Sequence, residues 1–253
     1  MSPQIRLLDA GDAALTVEFG DAIAPGLLAA VNALDAAVER LARAGGLPGL
    51  IEAVPTFRSL TLLYDPLLTC RADVEAALAP LLAGAGEAQS ASGRHWRLPV
   101  CYGGEAGPDL EATAAAIGAT ADEVVALHAG TEYRVYMLGF MPGFPFMGDL
   151  PERLCLPRRA EPRLRVAPGS VAIATGLSAI YPWESPGGWH LLGRCPVRLF
   201  DPAAAEPSLL AAGDCVRFEP VSAAEYARLA AAVAAGELPP AHWRAEAAAG
   251  GGR

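Results

Sequence analysis

Between Tyr133 and Asp201 glycine and proline interrupt the chain so often that a long helix is excluded. The stretch reads YRVYMLGFMPGFPFMGDLPERLCLPRRAEPRLRVAPGSVAIATGLSAIYPWESPGGWHLLGRCPVRLFD. Proline removes a backbone donor and fixes φ, while glycine supplies conformations closed to other residues, so short strands joined by tight turns remain. Apolar runs at 134–138, 171–175, 178–181, 189–193, 196–200 and 214–219 provide those strands, and their spacing predicts an all-β sandwich or barrel. Aromatic residues beside the breaks and a burst of arginines make the same loops candidates for ligand contact.

The first part of the chain has a different texture. Leu15–Phe19, Ile51–Val54 and Leu60–Tyr64 read as strands. Leu28, Val31, Leu34, Val38 and Leu41 recur at helical spacing between Pro25 and Ala44, and Asp73–Leu82 repeats that pattern with Pro80 limiting its end. Strand, helix, strand, strand, helix is the order of a small α/β sandwich. The segment GAGEAQSASGR at 84–94 has linker composition, which places the domain boundary at 88/89. After it come a strand at Trp96–Cys101, a helix starting near Pro108, and a helix announced by Thr120 and Glu123 and closed by Gly130. Ser222 with Glu225 caps a last helix, and the tail from about 245 is expected to be disordered. The fold expected is therefore α+β, an N-terminal α/β sandwich over 1–88 and a β-barrel over 89–253.

Composition narrows the functions. With 53% hydrophobic residues in 253, the chain can bury a sizeable core. A net charge of −9 argues against a nucleic-acid or anionic-membrane surface, and no apolar run reaches membrane-spanning length. The start lacks a basic region followed by an apolar core, so a cytoplasmic location is expected. Cys70, Cys101, Cys155, Cys195 and Cys215 are scattered, a poor disulfide or zinc pattern, and no metal is expected. All 19 Lys+Arg positions are arginine. A Walker A lysine, a Schiff-base lysine and a biotinylated lysine are thus excluded from this chain.

Several motifs resemble the 5-oxoprolinase B-subunit / KipI family, also called allophanate hydrolase subunit 1. They are GFMPGFPFMGDLPERL, PRRAEPRLRV, PGSVAIA, IYP and SPGGWHLLGRCPVRLFDP, preceded by LPVCYGGEAGPDL and HAGTEYRVYMLGF. Weaker similarity at GDAALTVEFGD and VPTFRSLTLLYDP extends the match from Gly11 to about Pro220. The resemblance implies a cyclophilin-like barrel. It also implies one component of an ATP-dependent complex that hydrolyses 5-oxo-L-proline to L-glutamate, with the homologous C subunit and the A subunit of 5-oxoprolinase as partners. ATP is used by that complex, on a component this chain does not identify, and no cofactor is covalently bound here. Two alternatives stand beside it: a carboxyltransferase-like component of urea or allophanate metabolism, and a KipI-like inhibitor of a sensor histidine kinase. The chain departs from the family pattern at TGLSAIYP, where Leu177 and Ser178 replace the usual glutamine and threonine.

The residues suggest a site for a small anionic molecule. Arg153, Arg158, Arg159, Arg163 and Arg165 fall within thirteen residues, stiffened by Pro157 and Pro162. Arg158, Arg159 and Arg163 are candidates for binding a carboxylate, phosphate or carboxybiotin-like group, against the alternative of pairing with Glu152 and Glu161. His128, near a helix C-terminus that favours its cationic form, is the candidate proton-transfer residue, against a role in closing its helix. Phe144 is a pocket wall or a barrel plug, and Tyr181 a hydrogen-bond donor. Ser185, Gly187 and Gly188 could present a hydroxyl and amides to an oxyanion, or simply form a hairpin turn with positive φ. Cys155 and Cys195 lie in the same stretch, with buried inert thiols the simpler reading.

Overall fold

In the computed structural model residues 5–84 and 93–245 are described. The chain divides into two compact units, Met1–Ser92 and Gly93–Arg253. The expected linker at 84–94 lies largely outside the described residues, and so does the tail after Ala245.

The first unit is a four-stranded antiparallel sheet built from β1 (Arg6–Asp9), β2 (Ala14–Glu18), β3 (Leu50–Pro55) and β4 (Ser59–Tyr64), in the order β1-β2-β4-β3. Alternation sorts its faces. Leu15, Val17, Leu60, Leu62 and Tyr64 are buried with Val31, Leu34 and Val38 of α1 (Pro25–Arg43) and Val74 and Leu78 of α2 (Arg71–Gly84). On β2 and β4, Thr16 and Thr61 lie between those positions and join hydroxyls at 2.8 Å. Two local readings need correction. The exposed strand β1 has too little apolar alternation to be read from sequence, and α2 continues past Pro80 to Gly84. Proline removes its own N–H and crowds the carbonyl four residues back, and Leu81 and Leu82, packed against the core beyond it, hold the last turn in place.

The second unit is a closed barrel. Its strands are β5 (His95–Tyr102), β6 (Glu132–Leu138), β7 (Pro145–Gly148), β9 (Ser170–Ala174), β10 (Leu177–Ile180), β12 (His190–Arg194) and β13 (Cys215–Pro220). They run β12-β9-β10-β7-β6-β13-β5, and β5 pairs back onto β12 through Gly193↔Tyr102 and Arg194↔Cys101. β14 (Arg244–Ala245) pairs with the start of β5. A separate ribbon, β8 (Arg163–Val166) with β11 (Ser185–Gly187), carries Arg163 and Arg165, the end of the arginine-rich segment. The barrel interior holds Leu98, Val100, Val135, Val171, Ile173, Ile180, Leu192 and Phe218. The helices of this unit are α3 (Leu110–Ala116), α4 (Ala121–Ala129) and α5 (Ala223–Ala234). The helix expected near Pro108 begins two residues later.

α4 starts with the expected capping box: Thr120 Oγ1 accepts from Glu123 N–H and Glu123 reaches back to Thr120 N–H at 2.7 Å. The expected strand at 196–200 is absent. Pro196 opens it and Pro202 follows it, and only Phe200 makes a bridge, to Ser208. Asp214 ties the barrel together where β5 and β13 begin, accepting from Arg94 N–H (2.9 Å), Trp96 Nε1 (2.9 Å) and Ala211 N–H (3.0 Å). Among the described residues no helix is long and apolar enough to cross a membrane.

Candidate functional site

β9, β10 and the Leu191–Leu192 part of β12 bury apolar residues on both faces, which is why PGSVAIA carries so few polar residues. Val171, Ile173 and Ile180 point into the barrel, while Ala172, Ala174 and Ala179 point outward. Over those outward alanines lies a second layer made by Phe144, Tyr181, Trp189, Leu191 and Val166. Small residues beneath leave room for the large rings above. Phe144 is at the centre of this layer, edge-on to Tyr181 at 5.1 Å and to Trp189 at 6.2 Å. Gly187 is required beside it because a Cβ there would collide with the Tyr181 hydroxyl. Burial raises the Tyr181 pKa, partly offset by the charges of Arg158 and Arg163, so the phenol stays protonated and able to donate.

The arginines are organised by a residue that inspection of the sequence passes over. Asp109, 3% exposed at the entrance to α3, accepts from Arg159 Nη1 at 2.8 Å and from Arg163 Nη2 at 2.7 Å on one oxygen. Its other oxygen accepts from Arg163 Nη1 at 2.9 Å and from Leu191 N–H at 2.7 Å. Burial alone would raise this carboxyl's pKa. Hydrogen bonds from Arg163 and Leu191, with the charges of both arginines, outweigh it and hold the group below its ordinary value. Arg159 and Arg163 are therefore anchors of the ribbon as well as cations. Two guanidiniums against one carboxylate leave a net positive charge, and Arg159 Nε is buried without an acceptor. Their side chains remain 31% and 25% exposed. Arg158 is exposed, and Arg165 pairs at 3.6 Å with Glu184, not with Glu152 or Glu161.

The remaining candidates divide by position. Ser185 turns its hydroxyl to Pro186 O at 3.2 Å. Neither Gly187 nor Gly188 has positive φ, so the hairpin-turn reading of SPGGW is corrected: Gly187 ends β11, and Gly188 O accepts from Arg159 N–H at 2.7 Å. Leu177, in place of the family's glutamine, packs against the aromatic layer. Ser178 faces the opposite way, toward His128.

His128 lies far from bulk water. It is fully buried, stacked on Phe218 at 4.8 Å, with Nδ1 2.8 Å from Tyr102 Oη and Nε2 3.1 Å from Ser178 Oγ. Burial lowers its pKa to about 3, overturning the expectation that the helix end would favour the cation. Both ring nitrogens are occupied inside the barrel, so the geometry gives it a packing role in place of proton transfer. Cys195 is similarly inert, its thiol pushed up to about 12 by burial.

One exposed element completes the region. Phe140 has φ +68°, a backbone conformation that a bulky side chain rarely adopts, and leaves its ring 67% exposed. It stands edge-on to Phe144 at 5.4 Å. Trp183, 41% exposed, donates from Nε1 to Pro142 O at 3.1 Å and holds the same loop. Backbone strain that presents an aromatic ring to solvent points to contact with something outside this chain. Asp109 and Phe140 both lie in the quoted motifs, but their roles depend on residues distant in sequence or on backbone geometry that no motif displays.

Residues 5–210 match the family described as carboxyltransferase domain, subdomain C and D. The chain is 38% identical over 240 residues to the B subunit of 5-oxoprolinase from Bacillus subtilis (strain 168), covering 89% of this chain and 97% of that one. Among solved structures, TTHA0988 superposes with a TM-score of 0.71 at 38% identity, over 87% of this chain and 40% of its own length. The urea amidolyase of Kluyveromyces lactis gives a TM-score of 0.72 over 91% of this chain and 16% of its own, at 22% identity, and shows a shared fold alone. With similarity running through both units, and with the barrel and its outward aromatic layer built from the shared motifs, this chain belongs to the 5-oxoprolinase B-subunit family, within the carboxyltransferase subdomain C and D family.

Proposed function

We propose that this chain is one component of an ATP-dependent 5-oxoprolinase, acting with the homologous C subunit and the A subunit to hydrolyse 5-oxo-L-proline to L-glutamate. The observation that carries this reading is the extent of the similarity to the Bacillus subtilis B subunit, 97% of whose length is matched, both units included. The ring amide of 5-oxoproline is unreactive, so coupling to ATP hydrolysis through a phosphorylated intermediate is chemically sensible. A Walker A lysine is absent here, which favours ATP binding on another component.

The chain's own contribution is binding and orientation. The net positive charge of Arg159, Arg163 and Asp109, with exposed Arg158 beside it, attracts the substrate carboxylate. Tyr181, kept protonated, is suited to donate to an oxygen that gains charge. Phe140 and Trp183 form the edge against which the homologous C subunit docks. The test is glutamate and ADP release from 5-oxoproline when this protein is combined with its partner subunits. Release in step with ADP is expected; none, under conditions where an authentic complex turns over, overturns the reading.

A variant separates strain from stability. Phe140→Gly removes the strained φ but also the contact with Phe144, so thermal stability should change by no more than about 1 kcal/mol. Affinity for the docking partner should fall at least ~10-fold, the loss of one anchoring aromatic. Unchanged affinity by calorimetry would remove Phe140 from the docking surface.

A further inference from the structure

Away from the arginine ribbon, a cleft of about 510 Å³ opens between Tyr102–Ala106, Arg194 and the start of α5. Two of the quoted motifs meet there, CYGGEA from LPVCYGGEAGPDL and the arginine of GRCPV, and the proposed function uses neither. Arg194 ends β12 between Cys101 of β5 and Ser170 of β9. Its stem passes over Gly169, where a Cβ would press on Arg194 Cγ at 3.3 Å and clash with Cys195 O.

Arg159 and Arg163 share the Asp109 carboxylate, whereas Arg194 makes no ion pair among the described residues. Like that of Arg159, its Nε–H is buried without an acceptor. A buried guanidinium N–H left without an acceptor is costly, and the Arg194 side chain also lines the cleft, where a bound anion would be its counter-ion. Tyr226 is its neighbour: burial raises that phenol's pKa, and the charge and hydrogen bonding of Arg194 counteract part of the rise. The Gly103–Gly107 turn closes on itself through Gly107 N–H to Gly103 O at 2.9 Å. Gly104 and Glu105, both exposed, line the cleft on this side.

We propose that this cleft binds a small oxyanion, the carboxylate or phosphate group of a metabolite, with Arg194 as its principal ligand and Tyr226 as a second donor. A guanidinium offers two parallel N–H groups to either kind of anion, so both headgroups belong to one proposal. The inference does not depend on the 5-oxoprolinase reading.

Titration of ¹⁵N-labelled protein with sodium acetate and, separately, with inorganic phosphate at constant ionic strength tests it. At least one of them should shift the Gly104, Glu105 and Ala223 amides saturably. Which anion does so identifies the headgroup. Arg194→Met keeps the stem and should weaken that binding at least ~10-fold, while Tyr226→Phe should weaken it by a smaller factor. Arg194→Lys keeps the charge without the Nε–H and supplies the comparison if the methionine variant fails to fold. Absence of saturable shifts with both anions, or shifts unchanged in the Arg194 variants, overturns the proposal.

Discussion

Asp109→Ala is expected to destabilise the barrel unit by about 3 kcal/mol, because it leaves two arginines facing each other over a buried space with no anion between them. That value is the lower end of the usual range for breaking a buried pair. Arg159 and Arg163 are each a quarter to a third exposed, and rehydration relieves part of the loss. The Leu191 N–H also loses its acceptor. Urea unfolding followed by tryptophan fluorescence measures this effect in the relevant unit, since Trp96, Trp183, Trp189 and Trp243 all fall within Gly93–Arg253. A loss below about 1 kcal/mol would show that the arginine ribbon is held by other means. The same carboxylate has a pH signature. With its folded pKa below the ordinary value, its stabilisation is complete above the unfolded pKa and disappears as pH falls through the folded one.

Acid should weaken the barrel well before that, through His128. Its pKa is about 3 in the folded chain against an ordinary 6.5. Between those values the unfolded chain binds a proton that the folded chain does not, so stability rises with pH across that window and is flat above it. The slope should approach about 1.4 kcal/mol per pH unit, for a total loss on the order of 4–5 kcal/mol on going from neutral pH to about 3. His128→Gln retains hydrogen-bonding capacity toward Tyr102 and Ser178 but cannot titrate. Its unfolding free energy should be lower at neutral pH and markedly less dependent on pH between about 6 and 4. An equally steep profile in the variant would assign the acid sensitivity elsewhere.

Whether a feature is legible in the sequence depends on how far apart its determinants lie. The capping box at Thr120 is readable because donor and acceptor are three residues apart. Helix α1 is readable because one face repeats every three or four positions. The ribbon β8–β11 is hidden: Pro162 and Pro186 break its apolar pattern, and its register shifts between Ser185 and Gly187. The arginine burst marks the right neighbourhood, but its meaning depends on Asp109, 50 residues before Arg159. His128 misleads for the same reason. Its spacing shows a helix end, whereas its chemistry is set by Phe218, Tyr102 and Ser178 arriving from three strands. Burial is a property of the closed barrel, so a ring nitrogen's partners are invisible until the strands are assembled.

The pairing of β5 has a consequence for how the protein is made. This strand comes first in the barrel, yet its neighbours are β12, β13 and β14, all encoded near the other end of the chain. During synthesis the N-terminal sheet has all its partners in hand early, whereas Trp96, Leu98 and Val100 must wait for about a hundred further residues to leave the ribosome. For that interval a strand rich in buried apolar side chains has open edges and no native partner. Slow translation or truncation near the C-terminus should therefore harm yield through aggregation of nascent chains, even where the finished barrel is stable.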